Sequence, residues 1–384
     1  MASMPAHKAR VFFANALIGG TLIAAGAADR PRARELGIAP GAGSPGPLNA
    51  ITDVAGVKVG QTTVVEGDAV RTGVTAILPH GGNLFREKVP GAVFVGNAFG
   101  KLAGSTQVDE LGTIESPIVL TNTLSVGTAV EAVVRWTLDQ PGNDAVRSVN
   151  ALVGETNDGT LNDIRGLHIT REHVLSAFNN AKTGQVDEGA VGAGTGTIAF
   201  GWKGGIGTSS RVVRQGGDGW TVGVLVQTNF GGRLTIAGAP VWREITPAPS
   251  TSLRASGDRD TADGSCMIVV ATDAPLDARD LKRLAARAIY ALARTGSTYS
   301  NGSGDFAIAF STAVANRVTV TNAPQPRTIL PTDAVSSLFE GALDATEEAV
   351  YNSLLKATDT TGSGRTIRAL PIDQLKTILK KYGR

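Results

Sequence analysis

The chain is poor in the residues from which metal centres, disulfide scaffolds and nucleic-acid surfaces are built. Its one cysteine, Cys266, cannot close an internal disulfide and has no Cys/His neighbours at ligand spacing, which excludes a structural zinc site. The four histidines, His7, His80, His168 and His173, include no pair at the spacing of a helical metal motif. Neither sign of charge dominates: 36 Lys and Arg against 34 Asp and Glu leave a formal charge of +2. With no basic run interleaved with aromatics there is no electrostatic footprint for nucleic acid, and small substrates are expected. Aromatic residues make up only 5% of the chain, whereas glycine is abundant at 48. That balance suits a strand-rich protein with many tight turns, because glycine reaches positive φ without steric cost. Beyond residue 28 no apolar run is long enough to span a bilayer.

The first 28 residues have a character of their own. Lys8 and Arg10 precede an uncharged stretch from Val11 to Ala27 that ends in small residues before Asp29. A basic start, an apolar middle and a small-residue end form the layout of a secretory signal. Asn15, Gly19, Gly20 and Thr21 weaken the apolar run, so export with removal is favoured over a membrane anchor. The expected location is the periplasm. Residues 29–47, rich in Pro, Gly, Ala and Arg, read as an extended arm with turns.

Regular structure is expected from Leu48 onward. Val57–Val59, Gly73–Leu78, Gly91–Val95, Thr197–Phe200, Trp220–Thr228, Cys266–Ala271 and Phe306–Phe310 are short, apolar and bounded by turn residues, the signature of buried strands. Helical spacing appears in Val126–Leu138, Asp277–Arg294, Ala334–Lys356 and Ile372–Lys381. The helix over 277–294 has a one-sided apolar stripe and a charged back, which predicts that it covers a sheet. Strands alternating with such helices argue for a layered α/β architecture. The polar, Pro-bearing stretch from Thr246 to Gly264 breaks this order, and a linker that long inside a compact chain is usually functional or disordered.

That linker runs straight into Ser265, in Asp263-Gly264-Ser265-Cys266-Met267. Alone, Gly-Ser before an apolar strand is ordinary turn chemistry. It is also what self-cleavage requires: a hydroxyl beside its own preceding carbonyl, with a Gly in front that tolerates an unusual backbone. Cleavage would leave Ser265 with a free α-amino group of ordinary pKa about 8, able to act as base for its own hydroxyl.

Several longer segments then bear on the choice. Leu48-Asn-Ala-Ile-Thr-Asp-Val-Ala-Gly-Val-Lys-Val-Gly, Glu115-Ser-Pro-Ile-Val-Leu-Thr-Asn-Thr-Leu-Ser-Val-Gly, Gly154-Glu-Thr-Asn-Asp-Gly, Leu161-Asn-Asp-Ile-Arg-Gly and Asp263-Gly-Ser occur in this order. Together they resemble the L-aminopeptidase/D-esterase and β-peptidyl aminopeptidase family over nearly all of the chain after the leader. The resemblance implies an α/β, four-layer αββα sandwich like that of N-terminal nucleophile hydrolases but differently connected. It implies a precursor cut between Gly264 and Ser265 into a large chain, 29–264, and a small chain, 265–384, that stay together and form a homo-oligomer. By the same resemblance Ser265 is the nucleophile, Asn229 the oxyanion donor, and Ser303 with Asp305 a support for the nucleophile and its amine. Glu155 matches the acid that pairs with the substrate's ammonium group, and Asn157 and Asn122 are candidate pocket residues. Three positions depart from the family: Asp305 where members often carry Glu, Asn157 where a relative has Tyr, and Gln61 where relatives often show His. No metal or cofactor is implied.

Other readings stay open at this point. Gly192-Ala-Gly-Thr-Gly-Thr and Gly204-Gly-Ile-Gly suggest phosphate loops, but neither has the dinucleotide fingerprint or a Gly-Lys-Ser/Thr ending, so Gly-rich pocket loops are expected instead. No Gly-x-Ser-x-Gly elbow occurs. A self-processing acyltransferase of related fold is one alternative, and an uncleaved periplasmic binding protein another. The reading adopted is hydrolysis of short peptides, amides or esters from a free amino end through an acyl-Ser265 intermediate.

Overall fold

A computed structural model describes residues 30–215, 218–247 and 264–384. The leader and most of the 246–264 linker lie outside them.

Two sheets stack face to face between two layers of helix. The first has five strands: β1 (Lys58–Glu66), β2 (Val70–Leu78), β4 (Leu102–Ala103), β5 (Ile118–Asn122) and β6 (Leu152–Thr156), in the order β1-β2-β5-β6-β4. β3 (Glu87–Ala98) belongs to the second, seven-stranded sheet with β7 (Gly205–Gln215), β8 (Asp218–Asn229), β9 (Ser265–Thr272), β10 (Gly304–Ser311) and β11 (Val318–Thr319). Its order is β7-β8-β9-β10-β3-β11, with Thr113–Ile114 pairing beside β3. Helices α1 (Val126–Leu138) and α2 (Arg171–Asn179) cover the outer face of the first sheet. Helices α3 (Ala278–Thr295) and α4 (Ser336–Leu355) cover that of the second.

Three apolar layers hold the stack. Val74, Ala76, Val119 and Val153 meet Val133, Val174 and Phe178 on the outside of the first sheet. Ile77, Ile118, Leu120 and Leu152 meet Leu225, Met267, Val269 and Ile308 between the sheets. Val224, Val226, Ile268, Val270 and Ala309 meet Leu281, Leu284, Leu338 and Ala345 under α3 and α4. In β9 the two-residue period splits the side chains: Met267, Val269 and Ala271 face the first sheet, and Cys266, Ile268 and Val270 face the helices. Both faces are buried, which is why this strand reads as a continuous apolar run. The expected four-layer α/β sandwich is therefore the fold.

One expectation is corrected. The glycines at 204–207 do not form a pocket loop; β7 starts at Gly205 and lies directly under α4. A Cβ at Gly207 would come within 1.9 Å of the Ala349 carbonyl oxygen, so glycine there lets helix and strand backbones touch. Gly192–Gly194 forms one buried 3-10 turn, and neither segment lines the cleft described next.

Candidate active site

β9 and β10 run parallel, with Ser265 in register with Gly304, and β8 runs antiparallel to β9 so that its last residue, Asn229, pairs with Ser265. The start of two strands and the end of a third thus meet at one edge of the second sheet. The parallel strands β5 and β6 end nearby in the first sheet, at Asn122 and Thr156. A cleft of about 790 Å³ opens between these strand ends, with Ser265, Gly264, Asn301, Gly302 and Phe99 on one side and Glu155, Asn157, Thr123 and Lys101 on the other.

Ser265 is 6% exposed, and its position in β9 turns the side chain to the inter-sheet face, with Met267. The Gly304 N–H lies 3.3 Å from Ser265 Oγ and 3.0 Å from the Gly264 carbonyl oxygen, so one donor touches both the hydroxyl and the carbonyl that precedes it. Gly264 has φ 157°, and a Cβ there would fall 2.0 Å from the Asn229 carbonyl oxygen and 2.8 Å from Phe230 Cα. Only glycine brings the chain this close to β8 before entering β9. On β8, Asn229 Oδ1 accepts from Ile198 N–H at 2.9 Å. That bond fixes the amide plane and leaves Nδ2 free to donate; Asn229 is 8% exposed and does not itself line the cleft, but its ladder pairing sets it beside Ser265, which does.

Ser303 and Asp305 stand behind Ser265. Ser303 Oγ donates to Asp305 Oδ2 at 2.9 Å, while Asp305 Oδ1 is buried without a hydrogen-bond partner among the described residues. Asp305 is in register with Cys266. Burial raises its pKa from 3.8 to about 6, with the Ser303 hydroxyl and the Cys266 amide opposing. The Cys266 thiol, buried beside it, is pushed well above the ordinary thiol range by desolvation and by Asp305. A thiol held in this way stays protonated and is a poor nucleophile.

Glu155 sits near the end of β6, with its side chain 3% exposed. The Lys101 N–H donates to Oε1 at 2.9 Å, the Thr123 hydroxyl donates to Oε2, and Lys101 Nζ lies 3.7 Å from Oε1. The carboxylate is held by two neutral donors and a long ion pair to a half-exposed lysine, a solvent-side cation that a substrate ammonium can displace. Asn157 lines the cleft and is exposed, its Oδ1 taken by Gly159 N–H at 2.9 Å.

Two further candidates lie elsewhere. Asn122 is not on the cleft wall: its Oδ1 caps a 3-10 turn through Leu124 and Ser125 N–H, and its Nδ2 donates to Thr72 at 2.8 Å. Gln61 lies on β1, bonded to the Asp187 carbonyl. Lys101, Thr123 and Phe99 line the cleft without having been singled out in the sequence. Thr123 stands in the 115–127 segment that carries the family resemblance, but a lysine and an exposed phenylalanine in a loop gave no signal.

Comparison with known proteins agrees with this geometry. Residues 49–367 match Peptidase family S58. The chain is 45% identical to "Beta-peptidyl aminopeptidase BapA" of Sphingosinicella microcystinivorans over 388 residues, 96% of this chain and 97% of that one. Among solved structures it is similar to the L-aminopeptidase D-Ala-esterase/amidase of Ochrobactrum anthropi, described as a variant of the Ntn hydrolase fold. The TM-score is 0.85 and the identity 39%, over 92% of this chain and 99% of the other. A Burkholderia sp. beta-aminopeptidase is similar with TM-score 0.83 and 38% identity, over 92% and 99% of the two chains.

Proposed function

Because this chain belongs to peptidase family S58 and is an aminopeptidase, we propose that it matures by cutting its own Gly264–Ser265 bond and then uses Ser265 as an N-terminal nucleophile. The observation that carries the reading is Ser265 itself: the first residue of a buried central strand, on the wall of the cleft, with Gly304 N–H touching both its hydroxyl and the Gly264 carbonyl.

In the first step Ser265 Oγ attacks the Gly264 carbonyl carbon. The negative charge that develops on the carbonyl oxygen faces Gly304 N–H, the Oγ proton passes to the Ser265 nitrogen as the C–N bond breaks and frees it as an amine, and water hydrolyses the resulting ester to leave the Gly264 carboxylate. In turnover the α-amino group takes the proton from Oγ as the hydroxyl attacks the substrate carbonyl. Asn229 Nδ2 donates to the oxyanion, the leaving amine or alcohol departs with the proton, and water releases the acyl group. Glu155 pairs with the substrate's ammonium, which fixes the first residue and gives the preference for a free amino end. The open cleft suits short peptides, amides and esters, and the β-peptidyl relatives favour substrates with an N-terminal β-amino residue among them. The leader points to periplasmic action after removal of residues 1–28, and the family resemblance extends the reading to a homo-oligomer of the cut pair.

Intact mass with N-terminal sequencing tests the premise. Wild-type protein should give two fragments, the smaller beginning Ser-Cys-Met-Ile, and Ser265→Ala should stay as one inactive chain. Efficient cutting of Ser265→Ala would remove Ser265 from the mechanism.

A further inference from the structure

Lys203 is fully buried, at 0% exposure, in a segment otherwise made of apolar residues and glycine. The proposed chemistry does not use it. Its Nζ donates to three main-chain carbonyls, Gly194 at 2.9 Å, Thr197 at 2.8 Å and Gly204 at 2.8 Å. Three acceptors match the three N–H groups of an ammonium; a neutral amine has two and would turn its lone pair toward the third oxygen. Burial pulls the group down to about 7, with the Asp158 carboxylate opposing, so holding this charge here is costly. An apolar side chain would have filled the volume at less cost. The position therefore calls for a reason beyond packing.

The three carbonyls belong to one turn, and that turn ends on the oxyanion donor. Ile198–Ala199 and Trp202–Lys203 pair as a two-stranded ribbon in which Ile198 faces Lys203. Gly204 N–H closes onto the Thr197 carbonyl at 3.1 Å, and the ribbon is anchored by Phe200 N–H to the Phe230 carbonyl and by Lys203 N–H to the Arg368 carbonyl, each at 2.8 Å. Ile198 N–H, one residue beyond the clamped Thr197 carbonyl, is the donor that fixes Asn229 Oδ1. We propose that Lys203 is a positioning residue for the reaction: its ammonium clamps the 194–204 turn so that Ile198 holds the Asn229 amide with Nδ2 aimed at the substrate oxyanion. The inference rests on the reading of Asn229 as oxyanion donor.

The test is a double-mutant cycle on the cut enzyme, with wild type, Lys203→Met, Asn229→Ala and the double variant assayed on a chromogenic anilide of an N-terminal amino acid. Activity is referred to the cut fraction from intact mass. Asn229→Ala should lower kcat about 100-fold or more, as loss of an oxyanion donor does. Lys203→Met should lower kcat about 10- to 100-fold with KM within about twofold, since the amine-binding side of the cleft is untouched. In the Asn229→Ala background the same Lys203 change should cost less than about threefold, because the group it positions is gone. Equal losses in both backgrounds would make Lys203 a structural residue and overturn the inference while leaving Asn229 in place. An Asn229→Ala enzyme with unchanged kcat would overturn both. Since an apolar replacement could unfold the chain, the cycle is run in parallel with Lys203→Gln, which keeps two N–H donors. Its kcat is expected between wild type and Met, and a Gln variant with the Met loss in both backgrounds counts against the clamp.

Discussion

The burial of Asp305 predicts different responses to pH for the uncut chain and for the proposed cut enzyme. In the uncut chain the carboxyl is desolvated, one oxygen has no partner among the described residues, and the pKa rises from 3.8 to about 6. Raising a carboxyl that far costs its ionised form about 3 kcal/mol. The sign follows from proton counting: between the two values the native chain holds a proton that the unfolded chain has released. The stability that comes with the neutral acid is complete below the unfolded pKa and is lost as pH rises through about 6. Integrated from pH 4.5 to 7.5, the loss is about 2 kcal/mol. The perturbation is Asp305→Asn in the uncuttable Ser265→Ala background, which removes the titration. Urea unfolding of Ser265→Ala and of the double variant across that pH range should show the Asn protein gaining about 2 kcal/mol relative to its parent. Cut wild type should lack this fall, because the new α-ammonium of Ser265, one residue from the partner of Asp305 in the ladder, favours the carboxylate. A difference between the uncut proteins that stays constant with pH would refute the argument, since it would mean that Asp305 is already ionised at pH 4.5.

Two further outcomes bear on the site. Glu155→Gln keeps the shape of the side chain and its Thr123 and Lys101 neighbours but removes the charge. KM for substrates with a free amine should rise about 10- to 100-fold, the worth of a charge-assisted bond, while self-cleavage proceeds at the wild-type rate. Steady-state kinetics and a cleavage time course separate these effects, and equal damage to both would mean that Glu155 only braces the fold. Gly264→Ala would drive a Cβ into the Asn229 carbonyl and Phe230 Cα, main-chain atoms that cannot turn aside. Cutting should slow at least about 10-fold, read as the uncut fraction by intact mass, because relief requires moving the scissile carbonyl off Gly304 N–H. Wild-type cutting would show that the close approach plays no part in the step.

What the sequence disclosed depended on how each element is held. The helices over 126–138 and 372–381 have the bounds that their spacing predicts, and the strand expected over 266–271 extends by one residue at each end. Their signals are strong because apolar side chains repeat with the period of the element. Ile118–Asn122 and Leu152–Thr156 are different: five residues each, buried on both faces, without alternation. Periodicity has nothing to act on there, so neither segment is among the predicted strands, although Asn122 ends the first and Glu155 is next to the end of the second. The chemistry was uneven in the same way. Ser265, Asn229 and Glu155 stand in motifs with a residue-type signature, whereas the contacts that orient them are largely to main chain. Ile198 N–H, Gly304 N–H and the three carbonyls around Lys203 have no signature, because every residue type supplies them. Lys203 is the one charged residue between Thr197 and Gly207, and no sequence motif attaches a role to it.

The place of the proposed cut in the sheet explains how a chain could break at its catalytic residue and lose no structure. β9 starts at the new terminus and keeps both neighbours, β8 from the N-terminal piece and β10 from its own, each paired over the eight residues of the strand. The second sheet alternates between pieces again at β10 and β3, and α4 lies against β7 and β8 of the other piece with nearly all its residues buried. Separating the pieces would expose the core between sheet and helices and the core between the sheets, which is unfolding, not dissociation. Cutting Gly264–Ser265 would therefore act locally: Gly264 gains a carboxylate, and the nitrogen of Ser265 stops being an amide donor, becomes a base and, while protonated, favours the ionised form of Asp305. The strand ladder holds that nitrogen, Asn229 and the Ser265 hydroxyl where they already were, so the geometry that serves the first hydrolysis is inherited by every later one.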